Sequence, residues 1–282
     1  MIAFFESLTQ QSPLFLASLV VYLAMAAAYG LVAIGKGGKG LRIVASLLGL
    51  AGFAVTTALI AQRWIEAGRP PFKSLYESLV LFTWCTTVLH LAVERFYRIA
   101  WFGFLSAGFL VLVLGYAVLK SDADIVNLPA ALQSVWFVPH VVVYFFGYAG
   151  VFFAFAAALL HLWKPDAQLH LQIARGGTAT VTYAGFMHKT ILFAFVLLTV
   201  GLVMGSVWAK SAWGDYWVWD PKENWAFVSW LVFVIYLHLR STKGFTERQG
   251  AWLTVAGSAA IAFTYLGMHL LPTAEASAHV YQ

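Results

Sequence analysis

Long apolar runs constrain this chain more than any other feature of its sequence. A helix that spans a bilayer needs roughly 20 mostly apolar residues. We count eight runs of about that length, at residues 13–34, 43–62, 75–93, 100–119, 138–162, 187–208, 225–239 and 250–270. Because the runs are continuous and do not alternate apolar with polar residues, they favour helices over a β-barrel. The sequence therefore predicts an all-α, polytopic membrane bundle of about eight transmembrane helices.

Composition agrees with this interpretation and excludes others. The chain is 61% hydrophobic and 10% charged, whereas soluble domains carry about 25% charged residues. No polar stretch is long enough to form a water-soluble domain, so we expect one transmembrane domain over residues 1–282. The net charge of +5 comes from basic residues dispersed in short loops, which argues against nucleic acid as a partner. The single cysteine, Cys85, excludes an internal disulfide or a CxxC redox pair.

The distribution of Lys and Arg predicts the orientation. Basic residues are enriched in the inner loops of membrane proteins, and an outer N-terminus places 11 of the 17 inside. These are Lys36, Lys39, Arg42, Arg95, Arg98, Lys164, Arg175, Lys189, Arg240, Lys243 and Arg248. With eight spans, we predict both termini outside. The inner loop at 164–186 is interpreted as a flexible connector.

An outer segment at about 208–225 is unusually rich in tryptophan. It holds five Trp and one Tyr within 18 residues, mixed with Asp, Lys and Glu. An interfacial aromatic belt explains one or two Trp at each helix end, but not this density. Indole rings offer apolar faces and an N–H donor. The segment therefore suits a large, flat, partly apolar ligand such as a porphyrin, whose propionates Lys210 or Lys222 could meet.

Three motifs resemble those of a known family. The pattern Trp213-Gly-x-x-Trp217-x-Trp219-Asp220-x-Lys222-Glu223 resembles the tryptophan-rich "WWD" signature of haem-handling proteins. Residues 68–79 resemble an early outer loop of the CcsA/ResC family of cytochrome c biogenesis proteins. The tail at 278–281, Ala-His-Val-Tyr, resembles the family's Leu-His-Ser-Tyr and departs from it at two positions. The resemblance covers essentially the whole chain, and eight spans with one Trp loop fit CcsA/ResC better than CcmC or CcmF.

This resemblance implies a function. The chain would be a subunit of a cytochrome c synthase, or haem lyase, in the bacterial inner membrane. It would bind haem b at the outer, periplasmic face and present it for thioether attachment to the CxxCH motif of an apocytochrome c, and it could also export haem. A ResB/Ccs-type membrane protein would be its partner, and a thiol-reducing protein would act indirectly. The alternatives are a haem exporter or chaperone without ligation activity, a b-type transmembrane electron-transfer protein and, last, a solute transporter.

The resemblance also assigns site residues. His140, at the outer start of the fifth run, and His279, in the tail, match the two axial iron ligands at the outer face. His269 competes with His279 for the second position. The haem would lie against Trp213, Trp217 and Trp219, with Asp220 beside it. The charges of the Trp segment are expected to shape the loop or contact the apocytochrome, and not to act as catalytic acids or bases.

His238, near the inner end of the seventh run, matches a histidine that holds haem in transit. The family places its partner on a second protein. Within this chain, His90 and His161 lie at similar depth and are alternative partners. For His90, His161, His170 and His188 we favour a structural role. In the early outer loop, a contact between Arg69 and Glu77 is expected to brace the bundle beneath the haem.

Overall fold

The computed structural model describes residues 7–97, 99–119, 125, 127–172 and 178–267. Over these residues the chain forms eight long helices, and each contains one of the predicted apolar runs or most of it. They are α1 (Pro13–Ala33), α2 (Lys39–Ala67), α3 (Leu75–Tyr97), α4 (Ala100–Leu119), α5 (Phe137–Trp163), α6 (Tyr183–Trp213), α7 (Pro221–Arg240) and α8 (Glu247–Ala262). A short 3-10 turn, Ala130–Leu132, precedes α5, and a π-helical turn, Phe263–Gly267, continues α8. The all-α class is confirmed.

Seven helical segments in the described part of the chain are long and apolar enough to cross a membrane. Helix α7 is not among them, although it has 20 residues. Its first turn carries Lys222, Glu223 and Asn224, which lower its mean hydropathy. The chain is thus an integral membrane protein, while the eighth crossing and the orientation stay predictions.

The connection between α5 and α6 differs from expectation. Residues Gln168–Gln172 form strand β1 and Thr178–Thr182 form strand β2, which pair as a two-stranded sheet. The sequence Thr-Ala-Thr-Val-Thr of β2 is rich in β-branched residues, which favour extended backbone. The prediction of a flexible connector was therefore wrong for these two strands.

The chain divides into two compact units. Unit 1 comprises Met1–Asn127 and Leu171–Ala179, and unit 2 comprises Leu128–His170 and Thr180–Gln282. Unit 1 contains α1 to α4 and unit 2 contains α5 to α8. A single domain over residues 1–282 remains a prediction.

Unit 1 has an unusually polar interior along α3. The Tyr22 hydroxyl lies 2.7 Å from Thr87 Oγ1, and His90 Nδ1 lies 2.8 Å from Ser106 Oγ. His90 Nε2 lies 3.7 Å from the carboxylate of Glu94. Polar groups buried in an apolar setting are costly unless they are hydrogen-bonded, and Thr87 and Ser106 provide such bonds. The geometry fits the structural role expected for His90.

Unit 2 is built on the close packing of α5 against α6. Small residues of one helix meet large side chains of the other, as where Gly147 faces Leu198 and Gly150 faces Phe193. Small residues let helix backbones approach closely within membranes, where packing largely drives association. This packing fixes the register of the two helices and positions the candidate site described next.

Candidate functional site

His140 lies in the first turns of α5, where its ring is fixed by a hydrogen bond across to α6. Its Nδ1 lies 2.9 Å from the carbonyl oxygen of Gly201. A carbonyl oxygen only accepts, so Nδ1 must carry the hydrogen. In the neutral ring, Nε2 then holds the lone pair. Metal-binding histidines commonly have their other nitrogen held in this way, which sets both tautomer and orientation.

Two glycines of α6 make room for this arrangement. A Cβ atom on Gly205 would lie 2.7 Å from His140 Cε1, and one on Gly201 would lie 2.7 Å from the Tyr144 ring. The sequence Gly-Leu-Val-Met-Gly at 201–205 is a small-xxx-small pattern, which permits close helix approach. This pattern is visible in the sequence, although the spacing alone does not show which side chain the two glycines face.

Trp208, the first tryptophan of the Trp-rich segment, connects His140 to Trp213. Its ring centroid lies 5.6 Å from that of His140 and 5.6 Å from that of Trp213. Its indole nitrogen donates to the carbonyl of Ala131 over 2.8 Å. Trp208 is buried, and it is not among the three tryptophans, Trp213, Trp217 and Trp219, that were predicted to contact the ligand. The structure thus brings the predicted His140 and Trp213 into contact with the same ring, that of Trp208.

The loop between α6 and α7 carries an exposed aromatic surface. Trp217 packs edge-on against Trp219, with centroids 6.2 Å apart, and against Phe227 of α7 at 6.0 Å. Trp219 is 74% exposed, and its neighbours Tyr216 and Val218 are also exposed. Exposed clusters of large aromatic side chains are typical of binding surfaces and of membrane interfaces.

The charged residues of this segment shape its backbone. Asp220 is buried and forms the N-cap of α7, where it accepts a hydrogen bond from Lys222 N over 2.8 Å. Glu223 completes a capping box by accepting from Asp220 N at 3.2 Å. At the other end of the loop, the ammonium of Lys210 donates to the Gly214 carbonyl, beside the Tyr216 ring. The expectation that charges shape the loop agrees with these contacts, and a contact between Asp220 and haem stays a prediction.

The other predicted histidines differ in their surroundings. His238 lies in the last turn of α7 with an exposed side chain, and His161 is buried in the last turn of α5. His188 lies 3.5 Å from the Tyr236 hydroxyl. His279 and His269 lie outside the described residues. Nothing in the described ranges groups three or more His, Cys, Asp or Glu around a metal position.

A small cavity in unit 2 lies beside Tyr144. Its free volume is about 10 Å³, and it is lined by Tyr144, Tyr148, Leu198, Ala226, Ser229, Trp230 and Ile261. Sites for drug-sized molecules measure about 300–1,000 Å³, so this cavity is too small for a porphyrin.

Fold and site together define a class: an all-α polytopic membrane protein with a fixed imidazole joined through tryptophan rings to an exposed aromatic loop. The family model described as cytochrome C assembly protein matches residues 72–274. The chain belongs to this family, and its role lies in cytochrome c biogenesis. A relative from Mesostigma viride, named cytochrome c biogenesis protein CcsA, is 31% identical and covers 90% of this chain and 92% of its own length. Another of the same name, from Prochlorococcus marinus, is 36% identical and covers 83% of each chain.

A solved structure shares the fold. The protein named cytochrome c haem lyase CcmF superposes with a TM-score of 0.61 at 20% identity, over 91% of this chain and 47% of that one. The present chain therefore spans about half the length of that structure. The family resemblance seen in the sequence is confirmed.

Proposed function

We propose that this chain is a subunit of a cytochrome c synthase that binds haem b as a substrate and presents it to an apocytochrome c. One observation carries the proposal: the imidazole of His140 has a defined tautomer and is joined through Trp208 to the aromatic loop. The names of its relatives, cytochrome c biogenesis proteins, support the same role. So does its fold likeness to a protein named as a haem lyase.

The iron would be held by two imidazoles. Nε2 of His140 supplies a lone pair, because Nδ1 donates to Gly201. Haem iron accepts axial imidazoles on both faces, and His279 is the proposed second ligand. Trp213, Trp217 and Trp219 would give the porphyrin apolar contact, and Asp220 would hold the turn that presents them.

The chemistry needs positioning more than acid–base catalysis. A cysteine thiol adds across a haem vinyl group: sulfur bonds one vinyl carbon, the other carbon gains hydrogen, and the double bond becomes single. Holding vinyl and thiol in the correct geometry lowers the barrier of such a step. A rigid axial ligand and a shaped aromatic surface serve that purpose.

We also propose a location and partners for this chain. The chain would lie in a bacterial inner membrane with the aromatic loop facing outward. A ResB/Ccs-type membrane protein would hold the apocytochrome, and a thiol-reducing protein would keep its cysteines reduced.

Absorption spectroscopy of the detergent-purified full chain tests the proposal. We expect a six-coordinate haem spectrum from the protein co-expressed with a ResB-type partner, and its loss or conversion to a five-coordinate spectrum in His140→Ala. His188 lies near the start of α6, away from the glycines that contact His140. His188→Ala is therefore the matched control and should keep the spectrum. Folded protein that contains no haem, whether it is expressed alone or with the ResB-type partner, would contradict the proposal.

A second activity, haem export, is favoured by one observation. His238 is exposed in the last turn of α7, while the aromatic loop precedes the first turn. At 1.5 Å per residue these positions are about 25 Å apart, so a haem held at His238 would enter from the opposite end. A thioether-formation assay with the purified complex separates synthesis from export: export alone yields no covalent cytochrome.

A further inference from the structure

The first turn of α7 holds the backbone of the aromatic loop. Glu223 Oε2 accepts hydrogen bonds from Val218 N at 3.0 Å and from Asp220 N at 3.2 Å. The side-chain amide of Asn224 donates to the carbonyl of Trp219 over 2.9 Å. Three successive loop residues are therefore each held by one of two neighbouring side chains. This exceeds what capping requires, since a capping box needs only the bond to the N-cap residue.

The residue held at the centre has a strained backbone. Trp219 has a φ of 59°, and no other non-glycine residue within the described ranges has a positive φ. Such a conformation persists only where the surrounding structure imposes it, and it is concentrated at functional sites. Here the restraint comes from Glu223 and Asn224, and its result is an indole that is 74% exposed.

We propose that Glu223 and Asn224 are positioning residues, which fix the backbone of Trp219 so that the rings of Trp217 and Trp219 meet the haem in one defined geometry. This inference rests on the proposed function. Neither residue needs to contact the haem, because each acts through the loop backbone.

The other capping box of the chain provides a matched control. At the start of α8, Gln249 Oε1 accepts from Thr246 N at 2.8 Å, the same type of bond that Glu223 makes to Asp220. No tryptophan loop precedes that helix. Glu223→Ala and Gln249→Ala therefore weaken equivalent caps, and only the first also releases Val218 beside Trp219.

The test is a haemin titration of the full-length protein in detergent, read by absorption, with near-ultraviolet circular dichroism of the haem-free protein alongside. We expect Glu223→Ala and Asn224→Ala to weaken haemin binding about tenfold, which corresponds to about 1.4 kcal/mol, and to reduce the tryptophan ellipticity. Glu223→Gln keeps an acceptor oxygen and should recover most of both signals. Gln249→Ala should change neither.

The outcomes separate the two proposals. Variants at Glu223 and Asn224 that bind haemin as Gln249→Ala does, with unchanged ellipticity, would overturn the positioning role and leave the proposed function intact. A folded wild-type chain that binds no haemin would overturn the proposed function and this inference with it.

Discussion

At the scale of single residues, the environment of His140 depends on two residues of α6 that have no side chain, Gly201 and Gly205. The ring can reach the Gly201 carbonyl only because Gly205 has no Cβ in its way. The same feature makes the site sensitive to the smallest substitution.

We predict that Gly205→Ala displaces the His140 ring. The added carbon would lie 2.7 Å from Cε1, closer than van der Waals contact allows, and overpacking of this kind costs about 1–3 kcal/mol. Haem occupancy of the purified protein should fall and the Soret maximum should shift. Gly115→Ala, on α4, is the control because a Cβ there meets nothing within 4 Å. Equal spectra for the two variants would contradict the account of how His140 is held.

A second prediction concerns Trp208. Trp208→Phe keeps an aromatic ring beside His140 but leaves the Ala131 carbonyl without its donor. A typical intramolecular hydrogen bond contributes about 0.5–1.5 kcal/mol to stability, so the thermal unfolding midpoint should fall. Trp252→Phe, at a 57% exposed position on α8, should leave the midpoint nearly unchanged. The prediction fails if both substitutions lower it equally.

At the scale of elements, the start of α3 depends on one buried carboxylate. Glu77 accepts from Arg69 at 3.2 Å and Arg63 at 3.4 Å, and from the backbone N–H groups of Lys73 and Ser74. Its side chain is fully buried. The contact between Arg69 and Glu77 that the sequence suggested is thus present, while its position beneath the haem stays a prediction.

We predict that Glu77→Ala destabilises unit 1. Removing one partner of a buried ion pair leaves uncompensated charge and costs about 3–5 kcal/mol. Unfolding in sodium dodecyl sulfate gives the free energy. Glu66→Ala, which removes an exposed carboxylate bonded to Gln62, should cost far less. A comparable loss in both variants would mean that the buried network contributes little.

Apolar length predicted that each helix exists, but not where each one ends. The run at 187–208 became α6 over Tyr183–Trp213 because Thr182 caps its start and Gly214, with a φ of 90°, ends it. Helix α7 begins at Pro221, before the apolar run at 225–239, because Asp220 and Glu223 form a capping box. His140 was predicted from the family resemblance and the tryptophans from their density in one segment, and both assignments stay predictions. Their contacts with Gly201, Gly205 and Ala131 were not predicted, because these depend on helix register, which apolar composition leaves undetermined.

At the scale of the whole molecule, the number of crossings decides which residues share a side. If α7 crosses the membrane, the aromatic loop and the loop after Arg240 lie on opposite faces. If α7 lies along the interface, they lie on the same face. Its polar first turn and shortfall in hydropathy make this the crossing most in need of a test.

We predict that α7 crosses. A single cysteine introduced as Asp215→Cys should react with a membrane-impermeant maleimide in intact cells, because position 215 is exposed and the loop faces outward in the predicted orientation. Lys243→Cys, also exposed, should react only after the membrane is permeabilised. The native Cys85 is fully buried and provides an unreactive background. Labelling of both positions in intact cells would place α7 in the interface, and then His238 could not receive haem from the opposite side.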